Sequence, residues 1–360
     1  MPLRALHVRK WRQKTPRSTK SDTVIEVGHD SRIPSIAKGC VLSIGKFDGV
    51  HLGHQALANA AKKLASRSNS GCMAVTFDPL PLSILRPEIP LGPPLTPLDR
   101  KIELLRRFGF DEVAVFRTGH WLLDLEAREF FDRIVMEKFE ARGMVEGSDF
   151  SFGRNRSGDS AMLARWCRES GLSHMEVPPI LSEGVAVTSS RVRKTLESGD
   201  IGSATKLLGH HFSTRGVAVR GAGRGRSISV PTANLADCDT LLPKQGVYAA
   251  AASILDDLST GRTWVPAAVN VGNQPTFESQ IPRLEAHLVG HPDRDLYGST
   301  IELIWLEKLR ETQRFDSVEA LKRQLSADID LSVRVFASHA TRLTETSGFV
   351  GTSANSEKFD

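Results

Sequence analysis

Near residue 213 the chain changes the rhythm of its apolar residues, and one sheet geometry does not serve both halves. Before that point short apolar runs alternate with helical stretches: VLSIG (41–45), a helix near 53–66, CMAVTF (72–77), a helix near 97–108, and EVAVF (112–116). Each step between parallel strands needs a crossover, so this alternation predicts a parallel sheet covered by helices. A long amphipathic stretch at 125–141, the segment GMVEGSDF, and a helical run near 190–208 with Val192 and Leu196 four apart complete a doubly wound α/β unit. After residue 213 the runs are short, closely spaced and punctuated by Gly and Pro: RGVAVRG (215–221), GVYAAAASI (246–254), WVPAAVNVG (264–272), LEAHLVG (284–290) and IELIWL (301–306). These predict a small antiparallel barrel, capped by an amphipathic helix near 317–336 that carries Val318, Leu321, Leu325 and Ile329 on one face.

A chain of 360 residues exceeds what one hydrophobic core usually serves. The expected division is a basic, disordered tail at 1–20, an α/β unit at 21–205, a barrel unit at 206–340 and a small, polar, disordered end at 341–360. The net charge of +5 lies mostly in the tail, where Arg4, Arg9, Lys10, Arg12, Lys14, Arg17 and Lys20 meet no acid, so the body is slightly acidic. It does not call for a nucleic-acid partner. An Arg-rich, acid-poor start also suits an organelle transit peptide. No apolar run reaches the roughly 18 residues of a membrane span, and no membrane partner is expected. Cys40, Cys72, Cys167 and Cys238 are scattered, with no C-x-x-C pair and no His at metal-ligand spacing. Neither a disulfide framework nor a zinc site follows, and a reducing, cytoplasmic compartment is the expectation.

The segment LSIGKFDGVHLGHQALANA carries the first candidate site. Gly45 ends an apolar strand, Phe47 and Asp48 lie in the turn, and Gly49, His51, Gly53 and His54 open a helix. A glycine-rich turn from strand to helix lets backbone N–H groups and the positive helix end face an anion. His51 and His54, three apart, share a helical face and can donate together to phosphoryl oxygens. Preorganised donors of this kind suit adenylyl transfer, in which charge builds on phosphate oxygens without a covalent intermediate.

GKFDGVHLGH resembles the HxGH nucleotidyltransferase signature in the form typical of the bacterial bifunctional riboflavin kinase/FAD synthetase family. TFDPLP (76–81), EGSDFSFGRNRSGD (146–159) and VTSSRVRKTLESGD (187–200) resemble further motifs of that family, in order. The resemblance implies a Rossmann-like nucleotidyltransferase domain in which Asp149 and Phe150 line the flavin and nucleotide cleft. Ser189, Ser190, Arg191 and Arg193 would grip phosphates, as hydroxyls and arginines at a helix start can. One position departs from the family: its FDPHP histidine is Leu80 here, which cannot donate to phosphate.

In the second half RGVAVRGAGRGRSISVPTANL (215–235) joins a glycine-rich turn to Thr232 and Asn234. It is not a Walker A loop, but Gly221, Gly223 and Gly225 allow backbone to approach ATP phosphates closely. Thr232 and Asn234 share one face of an extended segment and offer neutral oxygens that suit a hydrated magnesium ion. Glu285, opposite Leu284 and Ala286, could serve as a base for an attacking hydroxyl, but spacing alone favours a surface carboxylate on an edge strand. The run GxGRGR…PTANL, LLPKQGVYA, AAVNVGNQPTF, LEAHL, DLYG and LRETQRFDSVEALKRQ resembles the riboflavin kinase barrel of the same family. That likeness makes Thr232 and Asn234 ligands of magnesium and ATP, Glu285 the base on the ribityl 5′-hydroxyl, and Asn270 and Gly272 shapers of the site. It brings Arg310 near the flavin. The small-molecule partners implied are ATP, riboflavin and FMN, with magnesium, and the activities are riboflavin phosphorylation and FMN adenylylation. A riboflavin kinase with a weakened adenylyl domain, and a flavin- or RNA-binding regulator, are the rival readings.

Overall fold

The computed structural model describes residues 24–220, 231–255, 263–272, 283–291 and 296–347. The basic tail at 1–20, the glycines Gly221, Gly223 and Gly225, and residues 348–360 lie outside the described residues.

The first unit runs β1 (Ile25–Val27), β2 (Val41–Ile44), α1 (Leu52–Arg67), β3 (Cys72–Asp78), α2 (Pro81–Leu85), α3 (Leu98–Arg107), β4 (Glu112–Arg117), α4 (His120–Leu123), α5 (Ala127–Phe130), β5 (Gly143–Gly147), β6 (Ser151–Phe152), β7 (Gly158–Asp159), α6 (Ser160–Glu169), β8 (Ser173–Val177), β9 (Leu181–Ser182), β10 (Val185–Ala186), α7 (Ser189–Ser198) and α8 (Ile201–Leu208). Six strands form a parallel sheet in the order β1-β4-β3-β2-β5-β8. All four residues of β2 are buried, as expected of a strand covered on both faces. Ala61 and Leu64 of α1 and Ile102 and Leu105 of α3 fill one layer, and Phe130, Leu163 and Trp166 fill the other.

Two helical expectations need correction. The stretch at 125–141 is not one α-helix, because α5 continues as a π-helical segment over Phe131–Lys138, with the Phe139 amide donating five residues back to Ile134. The run near 190–208 is two helices: Gly199 takes a left-handed φ of 86° and closes α7, while the Asp200 side chain accepts from the Ser203 amide and opens α8.

The second unit runs β11 (Ser213–Val219), β12 (Ala233–Ala236), β13 (Gly246–Ile254), β14 (Val265–Gly272), β15 (Arg283–Leu288), β16 (Thr300–Arg310) and α9 (Val318–Ser347). The strands close an antiparallel barrel in the order β11-β12-β15-β14-β13-β16. Leu235, Val269, Leu284, Ala286 and Trp305 fill its interior. On the outside Ala249 and Ala251 lie in a cluster with Val335 of α9. This helix runs well past the expected end near 336, into the stretch expected to be disordered; no Gly or Pro interrupts it before Gly348.

The units are joined by more than the chain. Val192, Leu196, Leu207 and Leu208 of α7 and α8 belong to the same core as the barrel interior. Arg215 of β11 reaches Asp99 of α3 at 2.6 Å and the buried Glu302 of β16 at 3.5 Å. The Lys244 amide donates to the Leu196 carbonyl, and the Leu241 amide to that of Pro94.

Candidate active sites

The sheet order reverses at β2: β3 and β4 extend to one side, β5 and β8 to the other. Ligands in open α/β sheets bind beyond the strand ends at such a switch point. The turn that leaves β2 and the segment Gly147 to Phe150 that leaves β5 therefore meet where the topology favours a site.

The turn is bent hard. Phe47, Gly49 and Val50 have φ of 50°, 87° and 41°, and the left-handed region is costly for a β-branched residue such as Val50. Surrounding bonds hold it there. Gln55 donates through Nε2 to the carbonyls of Val50 and Leu208 at 2.9 and 2.7 Å, and His210 Nε2 lies 3.0 Å from the Gly49 carbonyl. Asp48 accepts from the amides of Leu95 and Thr96. A Cβ at Gly49 would meet the Leu95 and Leu208 side chains at 3.1 and 3.3 Å, and one at Gly53 would meet the His51 ring at 3.1 Å. At Gly45 it would lie 3.3 Å from the Phe47 ring.

His51 is the N-cap of α1, and no side chain caps this helix, so its first N–H groups are left for another partner. The His51 and His54 rings stack with centroids 3.7 Å apart. Both Nδ1 atoms are enclosed without a hydrogen-bond partner. Burial pushes the His51 imidazole down to about 4, against the pull of the Asp149 carboxylate and with help from His210. Burial, then the charges of His51 and Lys101, hold His54 well below the usual imidazole range. Both rings are neutral near pH 7, and each has one N–H to offer.

Asp149 is exposed at the end of β5, and Phe150 stacks on Phe152 with centroids 5.5 Å apart. On α7 the Ser189 hydroxyl donates to the Asp48 carbonyl at 2.7 Å, and Ser190 is exposed. Arg191 donates to the carbonyls of Ser182 and Val185. Arg193 donates to the Pro93 carbonyl at 2.7 Å and lies 3.3 Å from the Asp48 carboxylate. In this geometry both arginines are engaged by backbone carbonyls, and Arg193 also by Asp48. Leu80, half-buried, precedes the short helix α2. The sequence reading missed Gln55 and His210, whose tasks depend on contacts more than 150 residues distant.

In the barrel, Asn234 pairs with Glu285 and Glu285 with Asn270, so three polar side chains stand side by side across β12, β15 and β14. Their sequence neighbours Leu235, Leu284, Ala286, Val269 and Val271 point inward, which puts the polar row on the outer face. All three are half-buried, and Thr232, two residues before Asn234, is exposed. Register continues the row to Val247 and then to Arg310. Arg310 forms a paired contact with Asp328 of α9, Nη2 to Oδ2 at 2.7 Å and Nε to Oδ1 at 3.0 Å, and so fastens α9 beside the row. Gly272 ends β14.

Family models match this division: one described as FAD synthetase covers residues 33–191, and one described as riboflavin kinase covers residues 208–336. The bifunctional riboflavin kinase/FMN adenylyltransferase of Escherichia coli (strain K12) is 33% identical over 83% of this chain and 93% of its own length. The protein of the same description from Pseudomonas fluorescens is 33% identical over 85% and 96%. A solved chain from Streptococcus pneumoniae, described as a macrolide-efflux protein, superposes with a TM-score of 0.76 at 29% identity over 86% of this chain and 99% of that one. Among the described residues no helix is long and apolar enough to cross a membrane. With a strand-to-helix turn at the switch point, a polar row on a closed barrel and relatives matched along nearly their whole length, the chain belongs to the bifunctional riboflavin kinase/FMN adenylyltransferase family.

Proposed function

We propose that the barrel converts riboflavin and ATP to FMN and ADP, and that the α/β unit converts FMN and ATP to FAD and pyrophosphate. In the barrel, Glu285 takes the proton of the ribityl 5′-hydroxyl as that oxygen bonds to the γ-phosphorus. The bond to the bridging oxygen breaks, and its electron pair leaves with ADP. Thr232 and Asn234 would hold a magnesium ion by their neutral oxygens; when bound, the ion offsets phosphate charge. Two neutral oxygens are a donor set that fits an ion which keeps waters and nucleotide oxygens in its shell. Asn270 flanks Glu285 in the row, and Arg310 keeps α9 at its edge.

In the α/β unit a phosphate oxygen of FMN attacks the α-phosphorus of the second ATP and pyrophosphate departs. Neutral His51 and His54 donate N–H bonds to the oxygens on which charge grows, and the open start of α1 adds backbone donors. Ser189, Ser190, Arg191 and Arg193 border the phosphates through α7, and Asp149 with Phe150 offers a polar edge and a stacking face to the flavin. The observation that carries this half is the stacked His51–His54 pair at the uncapped mouth of α1.

Leu80 favours a second reading, in which the adenylyl step is weak and FMN is the main product. Incubation with riboflavin, ATP and magnesium, with flavins resolved over time, separates the two. A rise and fall of FMN with matching FAD and pyrophosphate is expected, and FMN that accumulates without FAD would remove the adenylyl half. The four free cysteines support a reducing, cytoplasmic setting, and burial pushes their thiols up to about 11 or 12, out of the reactive range.

A further inference from the structure

Lys101 stands in the first turn of α3, where a lysine is poorly placed. It lies on the helix face that carries Leu98, Ile102 and Leu105 into the core, and only 5% of it is exposed. The N-terminal end of a helix repels a cation. Its side chain makes no hydrogen bond or ion pair to a described residue, and Nζ is not among the fully enclosed atoms, so the stem is buried while the ammonium keeps an open side. An ammonium at the end of a buried stem, with no partner on the protein, is placed to meet an anion.

The surroundings say what that ligand is. Lys101 lies within electrostatic reach of His54 of α1, Asp48 of the turn and Asp78 at the end of β3. Neither carboxylate is free to neutralise it. Asp48 accepts from the Leu95 and Thr96 amides and faces Arg193, while Asp78 faces Arg117 of β4. Burial accordingly lowers the Lys101 ammonium below its ordinary value. Leu98, Ile102 and Leu105, which flank Lys101 on its helix face, pack in one cluster with Phe47 and Val50 of the turn, and the Phe47 ring meets His54 with centroids 5.2 Å apart, so Lys101 stands beside the turn; Leu80 follows Asp78 of β3 by two residues. Three kinds of donor thus converge without a partner: the open start of α1, the two imidazoles and this ammonium. Their common complement is a multiply charged oxyanion.

We propose that Lys101 is the cation that receives the pyrophosphate leaving group in the α/β site, the task for which Leu80 supplies no donor. The proposal rests on the adenylyl-transfer reading above. The FMN oxygen forms its bond to the α-phosphorus, and the bond from that phosphorus to the bridging oxygen breaks. The electron pair stays on pyrophosphate, and Lys101 meets the new charge by hydrogen bonds while keeping its proton.

The test uses the full chain as Lys101→Met and Lys101→Arg. Lys101→Met should lower kcat for FAD formation by about 10² or more, with riboflavin phosphorylation in the same sample within about twofold as the control for folding. Inhibition by magnesium pyrophosphate should weaken at least about tenfold. Lys101→Arg should recover a large part of the rate and extend activity to higher pH, because a guanidinium keeps its proton where the lowered ammonium does not. FAD formation and pyrophosphate inhibition by Lys101→Met within about threefold of the unmodified chain would overturn the proposal. If the unmodified chain makes FMN and no FAD, the adenylyl reading falls by itself. Titration with α,β-methylene-ATP and magnesium then judges Lys101: two binding events reduced to one by Lys101→Met uphold it, and two unchanged events refute it.

Discussion

In the α/β unit the groups at the helix mouth come from ten consecutive residues, Gly45 to His54, whereas the barrel draws Asn234, Glu285 and Asn270 from three separate strands. The first site is built by bending a short segment into sparsely populated dihedrals and bracing it with Gln55 and His210. The second is built by ladder register, which fixes side-chain neighbours without backbone strain. The first therefore depends on the junction between the units, since both braces reach residues 208–210. The second depends on its own sheet.

The largest separation between the two should come from Glu285→Ala. Loss of the base should lower FMN formation by about 10³, while FAD formation from supplied FMN stays within about twofold. Equal loss of both would mean that the sites are not independent. His54→Ala inverts the pattern: FAD formation should fall by about 10², with riboflavin phosphorylation unchanged. A smaller loss would show that the imidazoles only pack.

Gln55→Ala tests the bracing. It removes the donors to the Val50 and Leu208 carbonyls and should cost about 1–3 kcal/mol, read as a lower Tm, with FAD formation reduced and FMN formation spared. A drop in FMN formation of equal size would erase the contrast.

The smallest effect concerns pH. Glu146 of β5 is buried against His174 of β8, and burial, then the Glu176 charge, pushes its carboxyl up to about 8 from 4.5. A carboxyl raised on folding gives stability that is complete below about 4.5 and is lost as pH rises through about 8. Glu146→Gln keeps a hydrogen-bonding partner for His174 and cannot ionise, so its Tm should fall less than that of the unmodified chain between about pH 5 and pH 9. Parallel curves would remove Glu146 from the pH response.

The periodicity of apolar residues was enough to read both architectures, because a buried parallel strand such as β2 and an inward-outward strand such as β15 write different patterns. Local devices were also readable. The Gly199-Asp200 pair ends one helix and begins another by familiar capping chemistry, and the sequence reading passed over it because Val192 and Leu196 suggested one continuous face. Lys101 was visible as a charge among Leu98, Ile102 and Leu105 at helical spacing, though nothing in spacing says what lies opposite. The row Asn234–Glu285–Asn270 was not readable from spacing, since register between strands tens of residues apart is settled by barrel closure. The π-helical segment at Phe131–Lys138 was likewise hidden, for its residues have the pattern of an ordinary amphipathic helix.

The core that α7 and α8 share with the barrel limits how this chain can be divided. A fragment that stops at Leu208 would present Val192, Leu196, Leu207 and Leu208 to water, and one that starts at Ser213 would lack the cover those side chains give. The natural seam for splitting the two activities onto separate polypeptides lies upstream of Thr188, so that the helix pair travels with the barrel and leaves the first site without its last wall.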